Sequence, residues 1–157
     1  MHVSLRPLVD ADLDAIYEQM KDLASVRMAA FTAEDPADRQ AFLVHMSRIR
    51  DDPNCVQRVS EADGTIAGTI GSFIIDDQPE VTYWIDRALW GRGIATAALQ
   101  SFLSSVTTER PLFARAASDN AGSLRVLEKA GFRRIGVDRG FARGRGEEIE
   151  ETILRLD

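Results

Sequence analysis

Several things are scarce in this chain, and each scarcity closes off a class of protein. A single cysteine, Cys55, has no internal partner, which excludes a disulfide-stapled extracellular scaffold and points to a reducing, cytoplasmic setting. The only histidines, His2 and His45, are scattered along the chain with Cys55, so no metal-ligand spacing is present and no metal is expected. No apolar run approaches the roughly 18–20 residues that a membrane span requires. The start, "MHVSLRPLVDADLDAI", lacks the basic-then-apolar pattern of a secretory leader. Positive charge is also in deficit: 19 Lys+Arg against 25 Asp+Glu give a formal net charge of -6, the reverse of a nucleic-acid footprint. There is neither an internal repeat nor a low-complexity linker.

What is present is an ordinary globular composition, 157 residues with 45% hydrophobic and 28% charged. Residues 1–157 read as one domain with one core, a monomer or homodimer without membrane or nucleic-acid partners. "HVSLRPL" alternates as a first strand; Asp10 is placed to cap a helix carrying Leu13, Ile16, Tyr17, Met20 and Leu23 on one face. A second helix follows, with Pro36 in its first turn and Phe42, Leu43, Met46 and Ile49 on its apolar side. "CVQRVSE" and "IAGTIGSFII" form a hairpin around Asp63-Gly64, and "EVTYWID" is a further strand. A helix through Ala98, Leu99 and Phe102, the strand "PLFARAA", a helix ending at Gly131 and two last strands complete the order β-α-α-β-β-β-α-β-α-β-β.

The junction "WIDRALWGRGIATAAL" carries the chemistry. Where a strand gives way to a helix, the first helical N–H groups lack partners and the helix dipole adds positive charge. Glycines at 91 and 93 let an anion approach those groups. Spacing alone slightly favours a plain turn. A P-loop would need Gly-x4-Gly-Lys-Ser/Thr, which is missing, and a dinucleotide fingerprint would need glycine at Thr96.

Taken with "RAASDNAGSLRVLEKAGFRRIG", the segment "YWIDRALWGRGIATAALQSFL" resembles the GCN5-related N-acetyltransferase superfamily, most of all its ribosomal-protein alanine acetyltransferase branch. The family's pyrophosphate motif falls on Trp90-Gly91-Arg92-Gly93-Ile94-Ala95, with Thr96 next, and its later helix on Asn120, Ser123, Gly131 and Phe132. Trp90 stands where the family often has Gln or Arg; the backbone carries the phosphate contacts, so the cradle is retained. The resemblance implies an α/β (α+β) acyl-CoA N-acyltransferase fold. Its mixed, mostly antiparallel sheet of about seven strands splays between strands 4 and 5 and is flanked by about four helices.

The same resemblance implies that acetyl-CoA is the cosubstrate and lies where strands 80–86 and 111–117 diverge. Main-chain groups of Trp84, Ile85 and Asp86 would pair with its pantetheine arm like an added strand. Asn120 is either a helix cap or a pantetheine contact, or both. Where much of the superfamily has a tyrosine to protonate the departing thiolate, this chain has Leu127; Ser123 matches the donor suggested for the ribosomal-protein branch.

A lysine amine with pKa about 10.4 must lose a proton before attack, whereas a thiolate with reference pKa about 8.5 leaves readily. A base therefore matters more than an acid, and Glu80, with Asp77 as second candidate, is placed for it; a solvated carboxylate beside Pro79 is the competing reading. Tyr83 lines the acceptor pocket or packs in the core. An amide near Ile85 would hold the oxyanion. Asp76, Asp77 and Glu80 would draw a cationic amine to a site between the N-terminal helices and the turn "GFARGRGEEIE", and "RGRG" reads as a polar turn. The expected activity is acetyl transfer to a protein N-terminus or small-molecule amine by direct attack in a ternary complex. The alternative is a non-catalytic acyl-CoA-binding or sensing domain.

Overall fold

Seven strands and five α-helices follow one another in the computed structural model, which describes all of residues 1–157. They are β1 (Val3–Pro7), α1 (Leu13–Met20), α2 (Leu23–Ala29), α3 (Arg39–Asp51), β2 (Val56–Ala62), β3 (Thr65–Ile75), β4 (Gln78–Ile85), α4 (Ile94–Ser105), β5 (Leu112–Ala117), α5 (Ala121–Lys129), β6 (Arg133–Ala142) and β7 (Glu147–Leu156). The strands form one sheet in the order β1-β2-β3-β4-β5-β7-β6. Every neighbouring pair is antiparallel except β4 and β5, which run parallel and meet at one pairing, Glu80 with Phe113. Beyond that point the two strands part, and the sheet opens in its middle.

Side-chain alternation decides which helices cover which face. Leu112, Ala114 and Ala116 of β5 join Ile70, Val81 and Leu154 in a core closed by Leu99 and Phe102 of α4 and Leu124 and Leu127 of α5. Phe102 and Leu99 are completely buried, and truncating Phe102 to alanine would cost about 3–5 kcal/mol. The opposite face takes α1 to α3: Ala117 packs on Ala30, just past α2, and the Trp84 indole donates to the Gln19 carbonyl of α1 at 3.2 Å. β5 is buried along nearly its whole length, as a strand covered on both sides must be, and Arg115 is the exception.

Three boundaries differ from the sequence reading. The first long helix is two: Asp22 leaves the helical region, and its carboxylate accepts from the Ser25 amide at 3.0 Å to start α2 while also holding Arg87. Arg87 and Ser25 together keep this carboxyl near pKa 2. Leu23 consequently begins a new helix and is exposed rather than core-facing. Asp10 pairs with Arg50 instead of capping; the turn before α1 is held by buried Asp12, which accepts from Val9 at 2.9 Å and from both Arg6 terminal nitrogens. Pro36 precedes α3, whose cap is Asp38, accepting from Ala41 at 3.0 Å. The hairpin turns at Asp63-Gly64 and Asp76-Asp77 have φ of 51°, 81°, 50° and 64°, the left-handed pairs that two-residue hairpins of this twist demand.

Candidate active site

The opening between β4 and β5 is bordered by the starts of α4 and α5. After Ile85, Asp86 accepts from the Ala88 amide at 3.1 Å to turn the chain, and the Trp90 indole donates back to the Ile85 carbonyl at 2.9 Å. Gly91 and Gly93 follow with φ of 77° and 78°, and a Cβ built on either meets nothing within 4 Å. Ile94 is buried against Ala62, Ala67 and Ile85, which pins the first turn of α4 to the sheet. The cap position, Gly93, has no side chain to satisfy that turn. The first amide engaged is that of Ala97, donating to Gly93 at 3.1 Å; those of Gly91, Arg92, Gly93, Ile94, Ala95 and Thr96 find no main-chain acceptor. Free amides at the positive end of a helix, under open space, can receive an anion.

Strand β4 offers its main chain to the opening only at alternate residues. The Asp86 amide donates to Ala67 across the β3 side at 2.8 Å, so by the period of two Trp84 also faces β3, and Tyr83 and Ile85 face β5. Two of the three residues expected to hold an arm of cosubstrate are thus turned the other way. The Ile85 carbonyl is taken by Trp90, which leaves the Ile85 amide and the Tyr83 main chain toward the gap. Gly68 permits the close β3–β4 approach, since a Cβ there would lie 1.8 Å from the Trp84 carbonyl oxygen.

At the second helix start, the Asn120 side chain accepts from the Ser123 amide at 3.2 Å and caps α5. Tyr83 reaches the same turn. Its side chain lies on the face shared with Val81, toward α5 and away from α1 and α2, where it packs against the core. Its hydroxyl stands 2.7 Å from Ser123 Oγ and 3.3 Å from the Ser123 carbonyl. Burial pushes the phenol up to about 12, with the serine bond pulling the other way. Leu127 is core.

Glu80 sits at the vertex where β4 and β5 part, on the face of α1 and α2. Its half-buried carboxylate is 3.2 Å from Arg115, which also meets Glu151 at 3.4 Å and Asp138 at 3.6 Å. Burial raises the Glu80 and Glu151 carboxyls above the ordinary range while Arg115 pulls both down. Glu80 is therefore not a free solvated group; burial raises its carboxyl and one neighbouring cation, Arg115, opposes that. Asp76 and Asp77 form the β3–β4 turn itself and remain exposed at its tip. The structure does not bring them into this group.

The "RGRG" segment is the hairpin turn between β6 and β7, with Arg143 and Gly146 exposed, but its middle residues pack against the N-terminal helices. Gly144 donates to the Ala30 carbonyl at 2.8 Å, and a Cβ at Gly144 would lie 2.3 Å from the Val26 carbonyl oxygen. Arg145, its side chain only 9% exposed, binds the Asp119 carboxylate at 2.7 and 2.9 Å and the Arg27 carbonyl. The segment after α2 and the end of β6 thus meet over Ala117. Arg115, Glu151 and Arg145 escaped the sequence reading. A charged residue inside the apolar strand "LFARAA" was the available signal for Arg115; nothing local marked the other two. No group of three or more His, Cys, Asp or Glu side chains is placed to hold a metal ion.

With this geometry in view, comparisons with known proteins agree on the family. The family model described as an acetyltransferase (GNAT) domain matches residues 2–133. The chain is 22% identical over 164 residues, 98% of its length and 92% of the relative's, to an uncharacterized N-acetyltransferase p20 of Bacillus licheniformis. The phosphinothricin acetyltransferase of Sinorhizobium meliloti, solved in complex with acetyl-CoA, superposes with TM-score 0.83 at 20% identity over 99% of this chain and 88% of its own. A ribosomal-protein-alanine N-acetyltransferase from Brucella melitensis does so with TM-score 0.81 at 18% identity over 98% of each chain. At these identities the two structures speak for the fold.

Proposed function

The chain belongs to the GNAT acetyltransferase family, and from that premise we propose that residues 1–157 act as one domain transferring acetyl from acetyl-CoA to a protein N-terminus or a small-molecule amine. The observation that carries this reading is the uncapped start of α4, with its row of unengaged amides beside the β4–β5 opening. In it the amides of Gly91 to Thr96 receive the diphosphate, and the pantetheine arm lies along the Tyr83–Ile85 edge of β4.

Amine attack is direct, within a ternary complex, because no nucleophilic side chain with an activating base stands at the opening. Glu80 accepts the amine proton, directly or through water, with Arg115 beside it favouring the charged form. An α-amine, whose ordinary pKa of about 7.7–8.0 lies well below a lysine's, asks least of a single half-buried carboxylate. The Ile85 amide supports the oxyanion, and Ser123 faces the departing sulfur. No helix is long and apolar enough to cross a membrane; we place the reaction in the cytoplasm.

Thiol release from acetyl-CoA against a panel of N-terminal peptides, polyamines, aminoglycosides and amino acids tests the reading. Amine-dependent CoA release is expected, with Glu80→Gln and Ser123→Ala slowed. Tight acetyl-CoA binding without release for any amine would overturn it in favour of a binding or sensing role.

A further inference from the structure

We propose that Tyr83 is a positioning residue, its phenol hydroxyl holding Ser123 Oγ so that the serine's own proton points at the leaving sulfur. The inference rests on the reading above that Ser123 faces the thioester. Tyr83 comes from the middle of β4, Ser123 from the first turn of α5, and the two hydroxyls meet at 2.7 Å across the opening. A serine in a first helical turn has other acceptors close by and no fixed direction for its proton. The phenol removes that freedom.

Two arrangements satisfy the pair. In one, Ser123 donates to Tyr83 Oη, and the phenol donates to the Ser123 carbonyl at 3.3 Å. In the other, Tyr83 donates to Ser123 Oγ, which frees the serine proton. A thiolate accepts and never donates, so its formation selects the second arrangement. Burial keeps the phenol protonated well beyond neutral pH, and Tyr83 therefore remains a donor wherever Glu80 is ionised.

No proton need cross this pair. As the tetrahedral intermediate collapses, the C–S electron pair goes to sulfur, the amine proton goes to Glu80, and the sulfur leaves as thiolate under the Ser123 hydrogen bond. A chain with Leu127 on α5 thus draws its second hydroxyl from the strand instead of the helix.

The test is a double-mutant cycle in single-turnover experiments at saturating acetyl-CoA and amine. Tyr83→Phe keeps the ring and its packing and should lower the rate about tenfold, the size of one hydrogen bond to a developing charge, while separate steady-state titrations give an unchanged KM for acetyl-CoA. Ser123→Ala should lower it about 10- to 100-fold, and the double variant should be no slower than Ser123→Ala. Ser123→Thr, which keeps a hydroxyl, should retain most of the rate only where Tyr83 is present. Losses that multiply, or a Tyr83→Phe enzyme at wild-type rate beside a slow Ser123→Ala, would overturn the role of Tyr83 alone. Ser123→Ala at wild-type rate would overturn the placement of Ser123, and this inference with it.

Discussion

The two helices that border the opening begin in opposite ways. Helix α5 is closed by side chains: Asn120 accepts the Ser123 amide, and the adjoining Asp119 is gripped by Arg145 from a turn far along the chain. Helix α4 has no side-chain cap, starts from a left-handed glycine, and leaves its first amides without a partner. A helix start normally lacking a cap loses about 0.5–2 kcal/mol, and here burial of Ile94 compensates by anchoring the turn to the sheet. The difference separates two uses of one structural device. Capped, a helix start is a fixed platform for side chains such as Ser123; uncapped and glycine-lined, it leaves its amides open to an external acceptor.

The contrast breaks most readily at Gly93. Gly93→Ala puts a side chain at φ 78°, a strain of about 1–2 kcal/mol, and relieving it rotates the cradle amides. The Kd for CoA is expected to rise about tenfold or more, read by titration calorimetry; wild-type affinity would mean the cradle is only a turn. Arg145→Ala attacks the other helix. It frees the Asp119 carboxylate and the Arg27 carbonyl and should cost about 1–2 kcal/mol of stability, visible in urea unfolding, with CoA affinity unchanged.

Asn120→Ala is a smaller perturbation that sharpens the comparison. As a cap alone, Asn120 contributes about 1 kcal/mol to stability and nothing to the KM for acetyl-CoA. A parallel rise in that KM would show that the same side chain also meets the pantetheine arm.

Arg115→Gln probes the side-chain half of the site by pH. Burial raises Glu80 and Glu151 while Arg115 lowers them, so removing the cation moves both further up. The acid limb of kcat/KM should shift to higher pH with little change on the alkaline side. Stability follows the same sign: a carboxyl raised in the folded state contributes below its unfolded pKa and loses that contribution as pH climbs through the folded value. The variant should therefore lose more stability than wild type between acid and neutral pH. An unmoved acid limb would remove Glu80 from the role of base.

Read along the chain alone, the α4 start was largely legible and the rest of the site was not. Gly91, Gly93 and the apolar Ile94 lie within four consecutive residues, and their effect depends on local φ values and the helix they open. The alternation of β4 was equally readable in its side chains, but not which main-chain groups of Trp84, Ile85 and Asp86 face β5, because which edge meets β3 depends on pairing register rather than residue type. Asp22 illustrates a third kind of miss: the apolar period ran unbroken through Leu23, and a carboxylate engaged with Ser25 and with Arg87, 65 residues on, cut the helix in two.

What the sequence by itself determined was therefore what local backbone geometry and periodic burial carry: the order of the strands, the Asp63-Gly64 turn, most apolar faces and the glycine-lined start of α4. Tertiary structure alone decided which side chains meet. Glu80 meets Arg115 across 35 residues, Tyr83 meets Ser123 across 40, and Arg145 reaches the Arg27 carbonyl across 118. A hydrogen bond needs its partners within about 3 Å, and no pattern in the chain specifies that proximity until the sheet has ordered its strands.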